Sequence, residues 1–84
     1  MTPQREGVAM VVQKALREGP FSMRELAEDE GLSYGVVRSW SMGRRTPEPE
    51  NVLRLAAGLE TRAERLRHLA QELRSASEAG DGPQ

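Results

Sequence analysis

The chain has no cysteine, which removes a disulfide framework, a thiolate metal site and a thiol nucleophile together. Long hydrophobic runs are missing too. The longest, Val8 to Val12, has five residues, against the roughly 20 that a membrane-spanning helix needs. Arg5 precedes that run, but no A-x-A-like cleavage site follows it, so no signal peptide is read and a cytoplasmic address is the default. There is no strand signal, no internal repeat and no glycine-rich phosphate loop after a strand. Histidine occurs once, and no paired carboxylates mark a pocket. The chain is therefore expected to be neither an enzyme nor the carrier of a cofactor.

What is present suits one small soluble domain: 84 residues, 37% of them hydrophobic and 30% charged. Residues 1–79 are expected to form it, with 80–84 as a disordered tail. The net charge of −1 argues against indiscriminate binding to polyanions, but charge is unevenly placed. Glu25, Glu28, Asp29 and Glu30 all precede Gly31, whereas Arg38, Arg44 and Arg45 follow it with no acid before Glu48. A nearly neutral chain of this kind still presents one basic stripe.

The pattern predicts five helices. Thr2-Pro3 reads as an N-cap and first-turn proline, and Val8, Val11, Val12, Ala15 and Leu16 recur at helical spacing, with Gly7 favouring a late start. Gly19-Pro20 stops this helix. Ser22 to Glu25 is a capping box, flanked by Phe21 and Leu26 at hydrophobic-staple spacing. The second helix ends at Gly31. Ser33 caps a third, running to about Met42 before Gly43, with Leu32 and Val37 again at staple spacing. Two helices joined by a glycine-containing turn of about four residues form a helix-turn-helix, placed at 22–42. A fourth helix starts near Thr46-Pro47-Glu48-Pro49, with Val52, Leu55, Ala56 and Leu59 as its apolar face. Thr61 to Glu64 is a further capping box, which predicts a break and a fifth helix over about 61–79.

From Phe21 to Leu66 the chain resembles the lambda-repressor-like (Cro-type, XRE family) helix-turn-helix domain of bacterial and phage regulators. Leu26-Ala27 matches the paired Leu-Ala of the second helix, Gly31 the turn, and Leu32-Ser33 the entry to the recognition helix. Val37 and Trp40 match the buried positions of that helix. Met42 to Pro47 resembles the basic link after it, and Leu55-Ala56 with Leu59 the Leu-Ala-x-x-Leu of the fourth helix. The resemblance implies an all-α, five-helix fold with an extended C-terminal helix, binding double-stranded DNA. It further implies a small homodimeric repressor acting by promoter occlusion through recognition helix 33–42. The chain departs from the family at Met23, where glutamine often helps hold a phosphate, at Glu30, an apolar position, and at Ser41 and Gly35. These departures motivate an alternative: a protein-interaction module, or an antitoxin-like protein, that keeps the fold and binds another protein.

Val37 and Trp40 put one face of the third helix into the core and turn Tyr34, Gly35, Arg38 and Ser39 outward. Arg38 is the candidate base reader, since guanidinium to guanine is the commonest specific contact. Tyr34 and Ser39 are further candidates. Gly35 shares their surface but offers a base no side chain, and it costs roughly 1 kcal/mol of helix stability. Arg44 and Arg45 suit phosphates, as do Ser33, Arg24 and Asn51 at helix starts.

Beyond that region, Leu59, Ala63, Leu66, Ala70, Leu73 and Ser77 alternate by four and three, the spacing of a coiled-coil seam. A homodimer interface is expected there, at Leu66, Leu69, Ala70 and Leu73. Glu64, His68 and Glu72 share one helix face, but ordinary surface pairing explains the spacing, and no metal site is expected.

Overall fold

The computed structural model describes residues 3–79, which form four α-helices and no strand: α1 (Pro3–Glu18), α2 (Met23–Asp29), α3 (Tyr34–Ser41) and α4 (Pro49–Glu78). Thr2, expected to cap α1, and the tail at 80–84 lie outside the described residues. α1 starts at Pro3 and runs straight through Gly7, so that glycine does not delay it.

The two short helices are set by local chemistry. The Glu25 amide donates to Ser22 Oγ at 3.2 Å, and the Val36 amide donates to Ser33 Oγ at 3.4 Å, so each helix has a side-chain cap. Only half of the expected capping box forms at α2, because the Glu25 carboxylate turns to Arg62 of α4 at 3.5 Å. Both helices end in the same way. Gly31 (φ 68°) and Gly43 (φ 77°) take the left-handed conformation, and the two amides after each cap bond back into the last turn: Gly31 to Glu28 and Leu32 to Ala27, Gly43 to Trp40 and Arg44 to Ser39. This paired closure is the Schellman motif, and its left-handed residue favours glycine.

The core is small: Val12, Leu16, Leu26, Ala27, Val37, Trp40 and Leu55, with Val8, Phe21, Met23, Leu32, Val36, Val52 and Leu59 packed around it. α1 lies on α3, α3 on α2, and α2 on α4. Leu26 and Val37 are fully enclosed. Two residues expected inside are outside: Val11 is 68% exposed, and Ala56 faces solvent. On α4 the buried stripe follows Leu55 and Gly58 instead. A methyl group at Gly58 would lie 2.7 Å from Leu26 Cδ1 and 2.9 Å from Glu30 Cγ. The glycine thus makes room for the end of α2. Glu30, an acid at a position expected to be apolar, is half-buried and lies over that gap.

The five-helix expectation is corrected to four. α4 is one helix of 30 residues, opened by Pro49 in its first turn and unbroken at Thr61. Residues 59–79 contain neither glycine nor proline and are rich in Ala, Leu, Glu and Arg, which favour helix. Using the Thr61 cap would free several backbone groups to gain about 1 kcal/mol of capping, so propagation wins. At 1.5 Å per residue α4 spans about 45 Å, and the molecule measures 60 × 23 × 20 Å. From Glu64 to Ala79 every residue is exposed: the distal half of α4 runs past the body. Among the described residues, no helix is long and apolar enough to cross a membrane.

Candidate nucleic-acid interface

α3 divides into two faces. Val37, Trp40 and Ser41 are buried; Gly35 and Arg38 are exposed; Tyr34 and Ser39 lie between. Trp40, 4% exposed, belongs to the core. The Ser41 and Ser39 hydroxyls donate back to the carbonyls of Arg38 and Val36, both at 2.7 Å. Ser39, expected to face outward as a reader, is therefore half-buried with its proton committed to its own helix. Its oxygen keeps only acceptor capacity toward a ligand.

The structure brings two candidates together that are ten residues apart. The Arg24 guanidinium, from the first turn of α2, lies 4.0 Å from the centroid of the Tyr34 ring at the start of α3. This cation–π contact holds both side chains at the shared edge of the two helices. Arg24 makes no ion pair among the described residues, so its charge remains available there. Ser33 stays at the N-terminus of α3, its oxygen occupied by the Val36 amide.

Arg44 and Arg45 lie in the segment 42–48 that joins α3 to α4, both exposed. Among the described residues no carboxylate pairs with Arg38, Arg44 or Arg45. Asn51 is placed less favourably. It is half-buried in the first turn of α4, with Glu48 and Glu50 as neighbours in that turn. The Glu50 carboxylate in the same turn repels a phosphate, which weakens Asn51 as a phosphate contact.

The acids of α2 are placed elsewhere. Arg62 of α4 meets Asp29 at 3.1 Å and Glu25 at 3.5 Å, and Arg65 reaches Asp29 at 3.7 Å. This network keeps two of the four acids on the α4 side of α2, where α4 offsets their charge. Sequence reasoning missed Arg62, whose side chain is 21% exposed and whose Nε has no partner. The only available signal was Glu25 and Asp29 four apart on one helix face, which marks an acidic stripe without naming its partner.

The expected dimer residues are free in the single chain. Leu66, Leu69 and Leu73 are 65%, 55% and 74% exposed, and Ala70 is exposed. Glu64 pairs with Arg67 at 2.8 Å rather than converging with His68. No group of three or more metal-binding side chains occurs among the described residues. No protein-family model, curated protein or solved structure matches the chain.

Proposed function

We propose that this protein is a sequence-specific regulator that binds double-stranded DNA as a homodimer, with α3 as its recognition helix and the lambda-repressor-like arrangement as its fold. The observation that carries the reading is the charge geometry around α3. Arg38 stands on an exposed face, Arg24 with Tyr34 at its front edge and Arg44 and Arg45 just behind it. None of these arginines is paired with a carboxylate among the described residues.

In this role Arg38 reads a base edge in the major groove, with Tyr34 beside it. Gly35 lets the backbone approach closely, while Arg24, Arg44, Arg45 and the α3 N-terminus hold phosphates and fix the register. Bound across a promoter, such a dimer would repress by occlusion.

Selection of bound duplexes from a random DNA pool, run beside Arg38→Ala, tests this. Enrichment of a twofold-symmetric site that relaxes at one position per half-site in the variant is the expected result. Failure of the folded wild type to enrich any site at low salt would reject the reading in favour of a module that binds another protein.

A further inference from the structure

α4 leaves the body at about Glu64 and continues for some four turns with every residue exposed. A helix of that length is marginal in water without something to pack on, yet it carries Leu66, Leu69 and Leu73, each more than half exposed. At its root lies an apolar groove of about 530 Å³, where Pro20 and Phe21 face Leu59, Ala63, Leu66 and Leu69. We propose that a second copy of this chain fills the groove, the two α4 helices pairing antiparallel about an axis near His68.

The register follows from size. Setting Leu66 opposite Ala70 of the other copy also sets Ala63 opposite Leu73 and Leu59 opposite Ser77. Every leucine of the seam then meets a small residue, so large and small side chains interdigitate as a packed core requires. The same register carries Leu73 of one copy onto Ala63 of the other, at the groove, and brings the two copies of Leu69 together beside the axis. Residues 59–77 overlap on each copy, about 27 Å of helix.

Charge selects the direction. In the antiparallel pair, Glu60 flanks the seam opposite Arg74 of the other copy, twice. The two copies of Arg67 meet near the axis, each already paired with its own Glu64 at 2.8 Å. A parallel pair would instead set Arg62 against Arg67 of the other copy, twice, with no compensating opposite pair. It would also match leucine with leucine and alanine with alanine, and crowd both bodies at one end. The antiparallel dimer separates the Leu55 positions of the two bodies by roughly 40 Å along the axis. That is of the order of one DNA turn between half-sites.

This arrangement deepens the homodimer of the proposed function, resting on that reading for its occupant, a second copy, and not on DNA binding. The absence of cysteine makes the test direct. Ala63→Cys and Leu73→Cys chains, mixed and oxidised without DNA, are expected to give a covalent heterodimer. Ala63→Cys alone is expected to give none, because its two copies stand about 15 Å apart along the axis, beyond disulfide reach. Sedimentation equilibrium is expected to show a wild-type dimer that Leu73→Lys weakens at least a hundredfold. The helical circular dichroism of the Leu73→Lys body is expected to persist, since the single chain leaves that side chain exposed. Self-linking of Ala63→Cys would overturn the direction. A monomeric wild type at concentrations on the order of 100 μM would overturn the second copy as occupant, whatever the outcome with DNA.

Discussion

Two glycines inside helices are expected to respond with opposite sign to the same substitution. At Gly7 an added methyl meets nothing within 4 Å. Gly7→Ala therefore collects the helix-propensity gain, up to about 1 kcal/mol. At Gly58 the same gain is opposed by packing. The new methyl lies 2.7 Å from Leu26 Cδ1 and 2.9 Å from both Glu30 Cγ and Oε2. Glu30 is half-buried, and its carboxylate swings away at small cost. Leu26 is fully enclosed and has nowhere to go, so α2 must back off α4 or Leu26 must leave its rotamer. Overpacking of this kind costs about 1–3 kcal/mol, which leaves Gly58→Ala destabilised by roughly 1 kcal/mol after the propensity gain. In a domain of this size that lowers Tm by about 4–8 °C. Thermal melts of both variants by far-ultraviolet circular dichroism read the two signs directly. A Gly58→Ala melt raised as much as that of Gly7→Ala would refute the close approach of α2 and α4.

Further outcomes follow from the same geometry. If the proposed function holds, Arg44→Ala with Arg45→Ala removes two phosphate contacts from each of two subunits. The slope of log K against log salt is expected to shrink by about 3.6, and an unchanged slope in a filter-binding titration would take both residues off the DNA. Gly35→Ala places its methyl 3.7 Å from Ser33 Oγ, an ordinary contact, so the fold should gain up to about 1 kcal/mol. The same variant should bind the selected duplex several-fold more weakly, and equal affinity would mean that this face does not meet DNA closely. Arg62→Ala strands Glu25 and leaves Asp29 with Arg65 alone at 3.7 Å. Because Arg62 is neither surface nor core, urea denaturation should show a loss of about 1–2 kcal/mol, between the surface and buried limits. A loss under about 0.3 kcal/mol would show that α4 is held by apolar packing alone.

The parts of the fold that could be read from sequence are those decided within a few residues. Ser22, Gly31, Ser33 and Gly43 bounded α2 and α3 because caps and left-handed glycines act locally, and Val37 with Trp40 gave the buried face of α3. The reading failed where a local preference competed with something longer. Thr61 to Glu64 has the residues of a capping box, but a cap forms only if the helix breaks, and its neighbours on both sides favour continuing. Burial at Gly58 rather than Ala56 was hidden because its cause, the end of α2, lies almost 30 residues earlier in the chain. At the candidate interface, the residue types were legible but their engagements were not. Ser39 bonding back to Val36 is a rotamer choice, and the stack of Arg24 on Tyr34 depends on how α2 and α3 dock.

The missed continuity of α4 bears most directly on how a chain of net charge −1 would hold a polyanion. Binding requires that the acids of α2 be kept from opposing the arginines around α3, and Arg62 with Arg65 holds Glu25 and Asp29 on the far flank. Those arginines sit on the same uninterrupted helix as Leu66, Leu69 and Leu73. A hinge at Thr61 would have let the distal leucines pair with a second copy while the body turned freely, and the separation of two recognition helices would then be undefined. Without a hinge, the ion pairs that fasten α4 to α2 also orient the body against the seam. Under the proposed function, loosening Arg62 is therefore expected to cost DNA affinity beyond its effect on stability, because DNA with half-sites a fixed turn apart rewards only a dimer whose two halves are rigidly spaced.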